Sequence, residues 1–166
     1  MKLNIEGLTP KEDHYIILLS NGNNKFPFVI NEIQGHYIYA KLNDLYMEKN
    51  IYDVSRSITD VLNGELFEMN IAYIRNGLVY CKLLYACSME TEFNVECLFG
   101  DAICLAVANE TNITITDDAM RDVKNITKRE LNESKVVRLE KLLQQALDNE
   151  EYGIAANIRD ELSKIK

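Results

Sequence analysis

Short stretches of alternating hydrophobic and polar residues dominate the start of the chain. Residues 2–8 and 14–19 show this two-residue period, which is typical of β-strands, and Thr9-Pro10 between them is a turn former. The asparagine-rich segment 20–24 predicts a loop, and residues 25–30 predict a further strand. The pattern therefore predicts three consecutive strands.

Helical patterns follow these strands. Residues 31–47 suit a helix by the spacing of their apolar residues, although Tyr37-Ile38-Tyr39 would also suit a strand, and we predict a helix. Asp53 directly precedes a second predicted helix at residues 54–62, which Asn63-Gly64 ends.

The clearest strand signal is a predicted hairpin in the middle of the chain. Residues 66–74 and 78–86 flank Asn76-Gly77, which is the composition of a type I′ turn. A two-residue loop places Tyr73 opposite Tyr80. We therefore predict two antiparallel strands with this register.

Alternating elements complete the body of the protein. Residues 93–98 predict a strand, and Gly100-Asp101 opens a helix at residues 102–108 that is apolar nearly all round and should be buried. Residues 112–115 predict a last short strand, and a helical turn starts at Asp117.

Together these elements predict an α+β fold. We expect mixed or antiparallel sheets with a few packed helices, followed by a C-terminal α-helical hairpin. The polar, charge-rich stretch 121–133 predicts a linker between a domain at residues 1–120 and the hairpin at residues 134–166.

The predicted hairpin carries two apolar stripes at helical spacing. The first stripe follows a predicted N-cap at Ser134 and consists of Leu139, Leu142, Leu143, Ala146 and Leu147. The second stripe follows the turn-forming segment 148–151 and consists of Ile154, Ile158, Leu162 and Ile165. Two helices of this length bury little surface by themselves, so the stripes need a partner surface. That partner is either another protein or the chain's own domain.

The hairpin closely resembles the UVR motif of the excision-repair proteins UvrB and UvrC, which also occurs in some chaperone ATPases and their adaptors. The matching positions are Leu139, Ala146, Glu151-Tyr152, Ala155-Ala156 and the run from Ile158 to Glu161. Gly153 replaces the usual acid and loosens the helix by roughly 1 kcal/mol. The resemblance implies a protein-docking hairpin without chemistry of its own. Its partner-binding residues would be Tyr152, Ala155, Ile158, Arg159 and Leu162.

Composition and charge narrow the classes of function. The chain has 166 residues, of which 47% are hydrophobic and 27% charged, so it can form a core. No apolar run approaches the length of a membrane span, and the first residues lack a signal-peptide core, so we expect a soluble, cytoplasmic protein. The net charge of −8 opposes broad attraction to nucleic-acid phosphates, although a local basic patch would change this.

The cysteines and histidines give little support for a zinc site. The cysteines have no Cys-x-x-Cys spacing and lie in apolar surroundings, at Cys81, Cys87, Cys97 and Cys104. We therefore expect buried, reduced thiols. His14 and His36 have no second ligand at metal spacing and are expected to be ordinary strand or helix residues.

Generic catalytic motifs are missing from the sequence, but the order of elements over residues 2–120 resembles the bifunctional nuclease domain. This family is named for plant members credited with RNase and DNase activity. The best-matched piece is residues 100–107, where Asp101 stands at the aspartate of the signature Arg-Pro-Ser-Asp-Ala-Ile-Ala-Leu-Ala. A second signature, Arg-Pro-Leu-Thr-His-Asp, corresponds to residues 48–53, and only Asp53 matches it.

The resemblance implies metal-assisted hydrolysis of RNA or DNA phosphodiester bonds. Asp53 and Asp101 would be its catalytic carboxylates or would hold Mg²⁺ or Mn²⁺ through oxygen. The arginines of both signatures are replaced, and Tyr52 stands where the histidine is usual, so charge developing on the phosphate is poorly supported. Each aspartate also precedes a predicted helix, and a helix N-cap would explain both from local sequence alone.

Two functions therefore stay open. The first is a nuclease-family enzyme whose hairpin recruits a protein partner. The second is a non-catalytic scaffold or adaptor that docks onto a repair protein or a chaperone ATPase. Either could form a homo-oligomer. Whether Asp53 and Asp101 face one another in an open cleft would separate the two.

Overall fold

The computed structural model describes residues 1–87, 91–148 and 152–164 of the chain. These ranges contain seven strands and five helices, in the order β1 (Lys2–Pro10), β2 (His14–Ser20), β3 (Lys25–Asn31), α1 (Glu32–Leu42), α2 (Ile51–Val61), β4 (Gly64–Arg75), β5 (Leu78–Cys87), β6 (Thr91–Leu98), α3 (Phe99–Asn109), β7 (Asn112–Ile115), α4 (Asp117–Asp148) and α5 (Tyr152–Ser163).

The strands form one mixed sheet in the order β3-β2-β1-β7-β4-β5-β6. The short strand β7 joins its two halves, because it pairs antiparallel with β1 and parallel with β4. The other neighbouring strands are antiparallel. The predicted α+β fold class is confirmed.

The first three strands form the predicted meander, but the first turn comes later than expected. Strand β1 continues through Pro10, which pairs with Tyr15, and the backbone N–H of Lys11 donates to the carbonyl of His14 at 2.8 Å. The predicted turn at Thr9-Pro10 is therefore wrong. Proline is tolerated at the end of this strand because a missing N–H there removes little pairing.

The hairpin of β4 and β5 has the predicted register. Tyr73 pairs with Tyr80, and their rings stack with centroids 4.9 Å apart. Asn76 and Gly77 have φ angles of 53° and 75°, the left-handed conformation that a type I′ turn requires.

Both aspartates of interest lie three residues further into their helices than the sequence suggested. Asn50 is the N-cap of α2, and Asp53 is its third residue and accepts the Asn50 N–H in a capping box. Leu98 is the N-cap of α3, which makes Asp101 its third residue. The N-cap interpretation of the two aspartates is therefore wrong, although both still lie in the first turn, where negative charge suits the helix dipole.

Helix α3 is the buried centre of the first part of the chain. It contacts α1, α2 and strands β3 to β6, and its buried residues are Phe99, Ala102, Ile103, Cys104, Ala106 and Ala108. Phe99 stacks on Phe28 with ring centroids 4.3 Å apart. Cys81 is also buried, and Cys97 is half-buried. The expected burial of α3 is confirmed.

The chain divides into two compact units, Met1–Asp122 and Val123–Lys166. Helix α4 runs without a break from Asp117 to Asp148, so the segment 121–133 is helical and Ser134 lies inside a helix instead of capping one. The reason is that no glycine or proline interrupts this stretch. The turn residues 149–151 and Ile165 lie outside the described residues. Among the helices that are described, none has the length and apolar content needed to cross a membrane.

Candidate functional site

Three helices of the first unit bring both signature aspartates to one pair of tyrosines. Tyr37 of α1 and Tyr52 of α2 pack with ring centroids 5.0 Å apart. Tyr37 Oη donates to Asp53 Oδ1 at 3.2 Å, and Tyr52 Oη donates to Asp101 Oδ1 at 3.0 Å. We call these four residues the tyrosine–aspartate cluster.

The carboxylate of Asp53 is engaged at both of its oxygens. Besides the Tyr37 hydroxyl, Oδ1 lies 2.7 Å from Lys41 Nζ, and Oδ2 accepts the Asn50 N–H at 3.3 Å. The Asp53 side chain is only 13% exposed. This carboxylate ties α1 to the start of α2 through an ion pair and hydrogen bonds.

Asp101 is held by a buried amide from α1. Its Oδ1 also accepts from Gln34 Nε2 at 3.0 Å, while Gln34 Oε1 accepts the N–H of Asn31 at 3.2 Å. Gly100 leaves the room for this amide, because a Cβ at residue 100 would lie 2.3 Å from Gln34 Oε1. Gly100 stands where the family signature has serine, and the absence of a side chain there makes room for Gln34.

Electrostatics keep the tyrosines protonated and Asp53 charged. Burial raises the pKa of Tyr37 far above its usual value, and the neighbouring Asp53 carboxylate adds to the effect. Burial likewise raises the pKa of Tyr52, with contributions from Cys104 and from the hydrogen bond to Asp101. Burial alone would also raise the pKa of Asp53, but the Lys41 ammonium and the donors around it lower that pKa below its usual range. Tyr52, which replaces the family's histidine, is therefore a hydrogen-bond donor and not a base near neutral pH.

The cluster does not fit a divalent-metal site. Across residues 1–87, 91–148 and 152–164, no group of three His, Cys, Asp or Glu side chains could hold a metal ion. The two carboxylates have a lysine, two phenols, an amide and a backbone N–H as partners, and a cation would have to displace some of these donors. The arrangement therefore supports a structural role for the two aspartates.

A groove of about 530 Å³ opens beside Asp101 and is also lined by His14. His14 Nδ1 lies 2.6 Å from Asp13 Oδ1, so the carboxylate can orient the imidazole ring. Antiparallel pairing of His14 with Asn31 places β2 next to the start of α1. The sequence predicts an ordinary strand or helix residue at His14. No local spacing signals its place in the groove, because that place depends on the pairing of β2 with β3.

A second groove, of about 670 Å³, contains three basic side chains, Lys2, Lys41 and Arg56. Lys41 is paired with Asp53, and Arg56 Nη1 lies 3.5 Å from Glu110 Oε1 and donates to the carbonyl of Ala108. The acids neutralise two of the three cations, which leaves little net positive charge for a phosphate backbone.

The second unit exposes some of the predicted partner-binding residues and buries others. Tyr152 and Arg159 are exposed, Ile158 is half-buried, and Ala155 and Leu162 are buried. Ile154, on the same helix, is 52% exposed. A partner could therefore reach Tyr152, Ile154 and Arg159 directly.

Comparison with known families gives two matches that account for nearly all of the chain. A family described as the bifunctional nuclease domain matches residues 16–128. A motif described as UvrB/uvrC matches residues 133–166. A comparison with curated proteins found no match.

Proposed function

Because the chain belongs to the bifunctional nuclease domain family and ends in a UvrB/uvrC motif, we propose that it is a protein-docking adaptor built on a nuclease-family domain. The first unit acts as a folded scaffold, and the hairpin binds a protein partner. By the resemblance of the hairpin, that partner is a repair protein or a chaperone ATPase.

One observation carries the scaffold role: the ion pair of Asp53 with Lys41 at 2.7 Å. A carboxylate that pairs with a lysine, a phenol and a backbone N–H has little capacity left for a metal ion or a substrate proton. Replacement of the signature arginines and histidine also argues against catalysis, because phosphodiester cleavage needs positive charge near the phosphate.

The docking role rests on the exposed side chains of α5. Tyr152 offers a large amphipathic ring and Arg159 offers a planar cation; both residue types are enriched among the residues that dominate interface energetics. The adjacent Ile154 adds exposed apolar surface on the same helix.

We predict that Tyr152→Ala and Arg159→Ala each weaken capture of the hairpin's partner by at least about tenfold, a loss of about 1.4 kcal/mol or more. The measurement is affinity capture with the full chain as bait, followed by identification of the partner and titration of each variant against it. Leu78→Ala, a truncation of an exposed residue in the first unit, is the matched control and should bind like wild type. Equal binding by all four proteins would exclude this docking surface.

A second candidate, nuclease activity, is favoured by one specific observation: the groove that Asp101 and His14 share. An imidazole oriented by Asp13 could take the proton of an attacking hydroxyl or water, with Asp101 on the same groove as the second acid–base group. This would give phosphodiester cleavage of RNA or DNA.

We predict no cutting of single-stranded RNA or DNA above that of a mock preparation, with Mg²⁺, with Mn²⁺ or with chelator. Asp53→Asn, Asp101→Asn and His14→Gln are the matched variants, since each keeps the shape of its side chain. The adaptor proposal would be contradicted if wild type cut nucleic acid and a folded Asp101→Asn or Asp53→Asn variant did not. If His14→Gln also lost the cutting activity, the reaction would lie in the groove. Activity that survives all three variants would point to a contaminating nuclease.

A further inference from the structure

Helix α2 turns its apolar face away from the protein. Ile51, Val54, Ile58 and Val61 follow one another at steps of three, four and three, which places them on one face of the helix. Their exposed fractions lie between 42% and 80%, and no residue of α2 is buried. We call these four residues, with Leu62 at the helix end, the outer face of α2.

The polar side of the same helix is the one that packs on the domain. Tyr52 and Asp53 bond to Asp101 and Lys41, and Arg56 donates to the carbonyl of Ala108 in α3. These contacts fix the rotation of α2, so the outer face cannot turn inward without breaking the tyrosine–aspartate cluster. The exposure of the apolar residues is therefore built into the fold.

The outer face has the size of part of a protein interface. Its five side chains expose on the order of 600 Å², at the upper end for the largest apolar patch of a monomer. The outer face alone thus supplies most of the roughly 800 Å² per partner that a standard interface buries.

The spacing of the face suits a second copy of the same chain. The order three, four, three reads the same in both directions, and a two-fold contact needs such a self-complementary surface. The helix positions flanking the apolar residues are Asn50, Ser55 and Ser57, none of which is ionisable. Two chains of net charge −8 could thus approach along this face without bringing like charges into contact.

We propose that the outer face of α2 is a two-fold interface between two copies of this chain. The two helices pack antiparallel, so that Ile51 of each copy meets Val61 of the other and Val54 meets Ile58. The dimer presents two C-terminal hairpins, and its formation does not depend on the proposed adaptor role.

Sedimentation equilibrium of the full chain tests the proposal. Wild type should show twice the 19.1 kDa chain mass at micromolar concentration. Val61→Glu and Ile58→Asp should each weaken dimerisation by at least tenfold while circular dichroism stays unchanged, since both positions are exposed. Leu78→Glu in the β4–β5 hairpin and Ile154→Glu in α5, both at exposed positions, are the matched controls and should remain dimeric.

Three outcomes would overturn the proposal. A monomeric wild type would show that another molecule, or nothing, covers the outer face. A dimer that persists in Val61→Glu would place the interface elsewhere. Loss of the dimer in Ile154→Glu would assign it to the hairpin. Val61 is the most exposed member of the outer face, so a folding defect of Ile58→Asp would leave the Val61→Glu result decisive.

Discussion

Gly35→Ala is expected to lower the thermal midpoint of the protein by roughly 6–12 °C, because overpacking of about 3 kcal/mol shifts a chain of this size by 2–4 °C per kcal/mol. Gly35 is buried in α1 against Tyr15 of β2. A Cβ at residue 35 would lie 2.1 Å from Cδ2 and 2.3 Å from Cγ of Tyr15. Cγ is the ring atom nearest the backbone, so rotation of the ring cannot relieve the clash.

A second glycine of the chain supplies the opposite result. Apart from its chain neighbours and the nearby helix backbone, no heavy atom of the described residues lies within 4 Å of the position where a Cβ of Gly153 in α5 would stand. Gly153→Ala should therefore stabilise α5 by up to about 1 kcal/mol through helix propensity. Calorimetry and helix content by circular dichroism should show an unchanged or higher midpoint.

The clash with Tyr15 can be isolated by a double-mutant cycle. In a Tyr15→Ala background the ring is gone, and Gly35→Ala should cost less than about 1 kcal/mol. An equal loss in both backgrounds would mean that the cost of Gly35→Ala does not come from the ring.

Local sequence predicted the strands well because their signals are local. Asn76-Gly77 specifies a type I′ turn by itself, and the register of Tyr73 opposite Tyr80 follows from the length of that turn. The alternating stretches of β1 to β3 likewise reflect one face turned inward, as in β3, where Phe26, Phe28 and Ile30 are buried.

The helix boundaries were predicted less well, although signals for them exist. Asn50 stands three residues before Asp53, which is the spacing of a capping box, and Asn31 stands three before Gln34 in the same way. Reading these pairs would have started α2 before Asp53. The polar composition of residues 121–133 suggests a linker, but this stretch has no helix breaker, and α4 continues through it.

The candidate site depends on contacts that local sequence does not encode. Asp53 meets Lys41 and Tyr37 because α1 and α2 fold back on one another, and Asp101 meets Gln34 because α3 packs against α1. Periodicity also shows that α2 has an apolar face but not whether that face points to the core. The two signature aspartates therefore indicate the family of the chain, but not the hydrogen bonds and the ion pair that these side chains form.

Asp53→Asn is expected to destabilise the first unit by about 2 kcal/mol at pH 7, the range for losing hydrogen bonds to a charged group. The amide keeps an oxygen for the Asn50 N–H but removes the ion pair with Lys41. The N-cap interpretation would have predicted no change, since asparagine caps as well as aspartate. Urea unfolding at pH 7, compared with wild type, measures the difference.

The pH dependence of that difference identifies the charge as its source. The pKa of Asp53 in the folded protein is lowered, so its contribution is complete above about 4, the usual value in an unfolded chain, and is lost as the pH falls through the folded value. The gap between wild type and Asp53→Asn should be constant from pH 5 to 8 and should narrow progressively as the pH falls below 4. Asp60→Asn, an exposed substitution on the same helix, should stay within about 0.5 kcal/mol of wild type throughout.

In a Lys41→Met background the cost of Asp53→Asn should shrink, because the ammonium that favours the carboxylate is gone. A gap that does not narrow below pH 4, or one unaffected by Lys41→Met, would show that Asp53 acts through its shape instead of its charge. The argument that this carboxylate serves the scaffold would then fail.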